Sequence, residues 1–145
     1  PWAAEAEALV RAHEGARWIA AGRNGGFGAG CNAGFEQALR ALPALEHVLL
    51  LNPDAELEPG CLEALLAEAE AHPEAGAIGG RLLDGAGTRV LFENGRARTW
   101  SLSRLHVAAP AGRASFETEF LTGALMLVRA ELLRAGLRFD ERYFL

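Results

Sequence analysis

The chain contains no lysine: its 14 basic residues are all arginine, set against 19 acidic ones for a net charge of −5. Such a chain is poorly suited to general nucleic-acid binding, which needs clustered positive charge to neutralise phosphates. Cysteine is scarce too. Cys31 and Cys61 fall in different predicted elements without metal-ligand spacing, and two cysteines make no disulfide framework. A reducing, cytoplasmic home is the expectation. No apolar run approaches the ~18–20 residues that cross a bilayer; the longest, 48–51 and 124–128, suit buried strands. Residues 1–5 show no basic region before an apolar stretch, so no signal peptide is expected. His13, His47, His72 and His106 lack a two-ligand spacing, which argues against zinc. Ser101 and Ser103 lack a G-x-S-x-G context, which argues against a nucleophilic hydrolase.

What is present fits a globular protein. Half of the 145 residues are apolar and 23% are charged, enough for a core in one domain of the usual ~100–200 residues. The charge is uneven. Segment 81–113 holds Arg81, Arg89, Arg96, Arg98, Arg104 and Arg113 against Asp84 and Glu93, a net +4, while the remainder carries −9. Arginine in place of lysine, with abundant alanine, also fits a GC-rich bacterial genome.

Residues 3–14 place apolar positions on one stripe among Ala and Glu and predict a helix, ended by Gly15. Arg17–Ala21 reads as a short strand with Trp18 in the core. The glycine-dense stretch 22–30 reads as a loop opening into a helix over 31–42. Residues 46–51, apolar on both faces, predict a central parallel strand, stopped by Asn52-Pro53-Asp54. Pro59 starts a helix over 61–69 at the first-turn position that proline tolerates. Strands follow at 75–83 and 88–92 around the Asp84-Gly85 turn. Residues 93–115 read as irregular, with Trp100 assigned to packing. Strands at 117–121 and 124–128 and a helix at 130–135 complete an α/β order. In such folds ligands bind beyond the carboxyl ends of the strands, which selects the loops at 22–32 and 52–58.

The glycine loop admits two readings. Gly28-Ala29-Gly30-Cys31-Asn32-Ala33 spells the dinucleotide fingerprint G-x-G-x-x-A, and Asp54 follows at about the expected ~20 residues. That pattern supports a dinucleotide-binding oxidoreductase on Gly28, Gly30, Ala33 and Asp54; the alternative is a tight strand-to-helix turn. Asp54, just past a central strand, could bind Mg²⁺ or Mn²⁺, hard cations that favour carboxylate oxygen. A polar Pro-Asp turn without a ligand is the competing account.

Four blocks stand in order: Asn24-Gly25-Gly26-Phe27 through Asn32-Ala33-Gly34, Leu49–Leu57 with Pro59-Gly60, Phe120-Leu121-Thr122-Gly123-Ala124, and Phe139-Asp140-Glu141-Arg142-Tyr143-Phe144. Together they resemble the family-2 glycosyltransferases of the GT-A fold, in particular the bacterial rhamnosyltransferase-like branch, over residues 16–145. The resemblance implies a three-layer α/β/α nucleotide-diphospho-sugar transferase sheet. It also implies inverting transfer of a sugar from a nucleotide-diphosphate donor to a hydroxyl of a glycan or lipid-diphosphate acceptor, in cell-surface polysaccharide synthesis. On this reading Asp54 is the metal ligand and Asn24, Gly28, Asn32 and Asn52 line the donor, though side-chain capping of their own loop serves Asn24 and Asn32 equally well. Thr122 and Gly123 lie on the acceptor side, or pack a strand closely. Asp140 and Glu141 take structural roles.

The chain is expected to be one partial domain over 1–145, with its nucleotide side at about 1–80 and its acceptor side at about 81–145. The family's first strand is expected before Trp2 and its Glu-Asp general base after Leu145. The fold is therefore expected to be incomplete at both ends, and the isolated chain inactive for want of the base. Peripheral contact with the inner membrane face is a further expectation. A non-catalytic nucleotide- or carbohydrate-binding module remains as a third reading.

Overall fold

A computed structural model describes residues 2–93, 95–98, 103–106 and 110–144. Trp100, Ser101 and Leu145 lie outside the described residues. The chain divides into two compact units, one formed by residues 1–44 with 136–145, the other by residues 45–135.

In the first unit, α1 (Trp2–Arg11) carries the Ala- and Glu-rich stripe, with an i,i+4 pair between Glu7 and Arg11 at 2.7 Å. Turns carry the chain on to Gly15, whose φ of +83° suits glycine. The strand expected at Arg17–Ala21 does not form. A strand needs a ladder partner, and no strand among the described residues pairs with this segment. Trp18 and Ile19 are accordingly 38% and 37% exposed rather than core.

The next helix, α2 (Gly26–Ala41), begins at Gly26 instead of residue 31. Gly26 opens the helix at a φ of +79° that suits glycine, and the glycines at 28, 30 and 34 are helical although each costs about 0.5–1 kcal/mol against alanine in a helix interior. Tertiary packing overrides that preference. Gly28, Asn32 and Phe35, spaced four and three apart, form one buried face. This face meets Phe139, whose ring stacks on Phe35 at 6.0 Å and meets Phe27 edge-on at 5.4 Å.

The second unit is built on a three-stranded sheet of order β1-β7-β2, from β1 (His47–Leu51), β2 (Ala77–Gly79) and β7 (Leu125–Arg129). Both pairings are antiparallel, so the expected parallel strand is corrected. An apolar run on both faces signals burial and does not fix direction; that is set by where the chain returns. Helix α3 (Cys61–Ala71) lays Leu65 and Ala69 against Leu125 and Leu127, with Leu49, Leu57, Cys61, Ile78 and Leu82 packed around them. It follows Gly60 at φ +81°, so Pro59 lies outside the first turn where it was expected. Helix α4 (Ala130–Arg134) buries Ala130 and Leu133 completely or nearly so.

The predicted strand 75–83 splits into β2 and β3 (Leu82–Leu83). The latter pairs with β4 (Val90–Phe92) across a turn in which the Asp84 carboxylate accepts from the Thr88 and Arg89 N–H groups at 2.9 and 3.2 Å. Those bonds hold the Asp84 carboxyl below the usual carboxylate range. Within the stretch read as irregular, β5 (Gly95–Arg98) and β6 (Ser103–His106) form an antiparallel hairpin. No strand forms at 117–121. There Thr118 donates its hydroxyl to the Phe120 carbonyl, a local bond of the kind that competes with a ladder.

Candidate functional site

In the second unit, the turn after β1 is tied directly to the segment before β7. The β1–β7 ladder ends with Leu51 opposite Leu125, and one further bond runs from Asn52 N–H to the Ala124 carbonyl at 3.0 Å. The Thr122 hydroxyl oxygen in turn accepts from Ala124 N–H at 3.3 Å. Asn52 and Thr122-Gly123, far apart in sequence, thus meet at one end of the sheet, all half-buried.

The chain then reverses. Ala55 N–H donates to the Asn52 carbonyl at 3.1 Å, closing a four-residue turn with Pro53 second, the position its fixed φ favours. Leu57 leads back to the core beneath α3, so the turn is anchored on both sides. Asp54 occupies the third position and is exposed. Among the described residues no hydrogen bond or ion pair engages its carboxylate.

That arrangement bears on a metal. Among the described residues no group of three His, Cys, Asp or Glu could enclose an ion. A lone free carboxylate at the end of a strand offers one anchoring ligand, which fits Mg²⁺ or Mn²⁺. Such ions commonly take one or two carboxylates, keep several waters and accept phosphate oxygens for the rest.

The first unit treats its polar residues differently. Asn24, exposed, accepts Gly26 N–H on its side-chain oxygen at 3.0 Å and so receives one of the free donors at the start of α2. Asn32 is 6% exposed. Its amide nitrogen donates to the Phe139 carbonyl and to Glu141 Oε1, both at 3.0 Å, and its oxygen accepts Phe139 N–H at 2.9 Å. A Cβ on Gly28 would stand 3.1 Å from the Phe139 Cβ, so glycine there permits the close approach. Glu141 also lies 3.8 Å from Arg23, and Asp140 pairs with Arg142, which lowers its carboxyl below the usual range. Burial pushes the Cys31 thiol up.

Sequence reasoning did not foresee the tie between Asn32 and residues 139–141; no local pattern signals a contact 107 residues away. Nor did it single out Arg129. From the end of β7 its guanidinium donates to the Ala75 carbonyl at 2.7 Å and to the His72 carbonyl at 3.0 Å, and also to that of Ala69. It thereby satisfies carbonyls left open at the C-terminus of α3. A cation closing an otherwise apolar strand was the available signal.

The family model of Glycosyl transferase family 2 matches residues 3–137. The chain belongs to that family. No curated protein and no solved structure gives a significant match. Membership carries the GT-A nucleotide-diphospho-sugar transferase fold, of which the mixed α/β elements above are the local expression, and the transfer of a sugar from a nucleotide-sugar donor to a glycan acceptor. The dinucleotide alternative loses its geometry in this glycosyltransferase: Gly28 through Ala33 are helical, whereas the fingerprint requires a turn between strand and helix. Among the described residues no helix is long and apolar enough to cross a membrane.

Proposed function

We propose that this glycosyltransferase performs inverting transfer from a nucleotide-diphosphate sugar to a hydroxyl of a lipid-diphosphate-linked glycan. The setting is bacterial cell-surface polysaccharide synthesis, in the rhamnosyltransferase-like branch, at the cytoplasmic face of the membrane. The observation that carries the reading is the hydrogen bond from Asn52 N–H to Ala124. It puts the acidic turn and the Thr122-Gly123 segment side by side, as a donor side and an acceptor side must be in a transferase.

Asp54 would hold Mg²⁺ or Mn²⁺ against the donor diphosphate. The bound ion stabilises the negative charge that develops on the leaving diphosphate. Asn52 fixes the turn through its backbone, and Thr122 and Gly123 border the acceptor. The resemblance also assigns Asn24, Gly28 and Asn32 to the donor; within their own unit Asn24 receives Gly26 N–H and Asn32 holds Phe139 and Glu141. Neither Asp140 nor Glu141 is assigned as the general base, because Arg142 and Asn32 already engage them.

Titration calorimetry with a nucleoside diphosphate tests the reading. Binding should require Mn²⁺ or Mg²⁺ and should be lost in Asp54→Asn, with NAD giving no heat. Tight NAD binding without nucleoside diphosphate binding would overturn it.

A further inference from the structure

We infer that Asn24 is a site of spontaneous covalent modification. Its side-chain amide closes on the Gly25 backbone nitrogen, releases ammonia, and leaves an aspartyl or isoaspartyl residue just before α2. The inference does not depend on which donor or acceptor the enzyme uses.

Asparagine is among the thermolabile residues, and its weak point is attack by the backbone nitrogen of the residue that follows. Glycine in that place has no Cβ to shield the nitrogen. The chain has four asparagines, Asn24, Asn32, Asn52 and Asn94. Asn52 precedes Pro53, whose nitrogen has no proton to lose. Asn32 precedes Ala33, is 6% exposed, and is engaged through both side-chain polar atoms. Asn94 lies outside the described residues. Asn24 is exposed and precedes Gly25.

Three features of the turn favour closure. No acceptor among the described residues engages the Gly25 N–H, so nothing holds its proton. Gly26 N–H donates to Asn24 Oδ1 at 3.0 Å. That oxygen gains negative charge as the nitrogen adds to Cγ, and a donor already aimed at it stabilises the charge. Arg23 adds a cation: a Cβ on Gly25 would stand 3.8 Å from its Nη1, and a nearby positive charge favours loss of the nitrogen's proton. Packing also keeps the pair in place. A Cβ on Gly25 would meet the Ala29 Cβ at 2.6 Å, and Asn24 supplies an acceptor for one of the free donors at the start of α2.

In the first step the bond from Gly25 nitrogen to Asn24 Cγ forms and the bond from Cγ to Nδ2 breaks. The nitrogen's proton leaves with the ammonia, and a five-membered imide remains. Water then opens the imide at one of its two carbonyls. Opening at Cγ restores the main chain and leaves a carboxylate, which can still accept Gly26 N–H and suits a helix N-terminus. Opening at the main-chain carbonyl sends the backbone through Cγ, adds a methylene to it, and removes the acceptor from its place. The sum is one water consumed and one ammonia released.

The test is peptide mapping of the full chain after incubation in its folded state at mildly alkaline pH. A synthetic peptide of residues 20–30, incubated alongside, serves as the clock. Every basic residue is arginine, so trypsin releases Asn24 in the peptide 24–40, Asn52 in 41–81 and Asn94 in 90–96. When the synthetic peptide has converted, residue 24 of the folded chain should carry the mass change of deamidation and label as isoaspartate. Asn32, in the same tryptic peptide, should be unchanged. Asn24→Ser keeps a side-chain oxygen for Gly26 N–H and has no amide to lose. After the same incubation its melting midpoint should stand above that of the aged wild type, because only the wild type loses its acceptor at the start of α2. Three results would overturn the inference: Asn24 intact when the synthetic peptide has converted; equal conversion at Asn32, which would place the reaction in unfolded chains; or aged wild type melting together with aged Asn24→Ser.

Discussion

In the unit formed by residues 1–44 and 136–145, Asn32 is buried and all its side-chain polar atoms are engaged by Phe139 and Glu141; in the unit formed by residues 45–135, Asp54 is exposed and its carboxylate has no partner among the described residues. Both belong to motifs that resemble donor-binding blocks. A saturated polar group is built to hold the protein's own backbone. A free carboxylate on a turn anchored from both sides keeps its lone pairs for a ligand, at little conformational cost on binding. Saturation is thus the structural difference between two residues that sequence assigns to one class.

The largest effect should come from breaking the Asp54 side of that contrast. In an enzyme that also carries the general base, Asp54→Asn nearly preserves shape and removes the charge, and losing such an electrostatic contact in the transition state costs about 10²–10³ in kcat. Its thermal midpoint should stay that of the wild type. Steady-state kinetics beside a melting curve decide the matter; activity within twofold of wild type would remove Asp54 from the metal site.

Asn32→Ala should do the reverse to stability. It strips partners from the half-buried Phe139 N–H and carbonyl groups, which costs about 1–3 kcal/mol. At the ~2–4 °C per kcal/mol expected for a chain of this size, a drop of roughly 2–12 °C follows. A wild-type midpoint would show that the Asn32 bonds do not hold residues 139–141 in place.

What could be read in advance divides along similar lines. β1, α3, β7 and α4 were legible because their apolar runs have the right period and because Pro59-Gly60 stands just before α3, as Asp84-Gly85 stands between β3 and β4. The early start of α2 was not, since glycine density argues for a loop and only the contact with Phe139 reverses it. Arg17–Ala21 has strand composition but no ladder partner among the described residues, whereas residues 95–98 and 103–106 pair despite an arginine-rich composition. Asp54 and Thr122 are singled out separately, through motif resemblance alone. The tie between Asn52 and Ala124 continues the β1–β7 register, which no local pattern encodes.

Two glycines of α2 sharpen the comparison at smaller scale. A Cβ at Gly34 would meet nothing within 4 Å, so Gly34→Ala should stabilise by about 0.5–1 kcal/mol through helix propensity and a less flexible unfolded chain. Gly28→Ala gains the same propensity but places its Cβ 3.1 Å from that of Phe139. Phe139 cannot easily give way, because Asn32 holds both its N–H and its carbonyl. Thermal melts should therefore rise for Gly34→Ala and fall for Gly28→Ala. A rise for both would mean that the 139–141 segment yields.

The smallest effect concerns the opposite end of the sheet, where His72 follows α3. Its Nδ1 lies 3.0 Å from Glu74 Oε1 and its Nε2 3.4 Å from Glu68 Oε1, while its carbonyl accepts from Arg129. The Glu74 hydrogen bond, helped by the charges of Glu68 and Glu74 and opposed by desolvation, raises the imidazole above its ordinary value of 6.5. A raised folded-state pKa means that the folded chain holds the proton more tightly than the unfolded one. The resulting stability is fully present below about 6.5 and disappears as pH rises through the folded value. Glu74 is shifted the other way, lowered from 4.5 by a backbone hydrogen bond at its own position and then by His72. Its contribution is present above 4.5 and lost as pH falls through the depressed value. The pair therefore works best between those two ordinary values, and because the groups are exposed the effect is small and screened by salt. Following the His72 ring proton by NMR should give a titration midpoint above 6.5 that moves back toward 6.5 in Glu74→Gln. A midpoint that ignores the substitution would show that the imidazole at the end of α3 is not paired with Glu74.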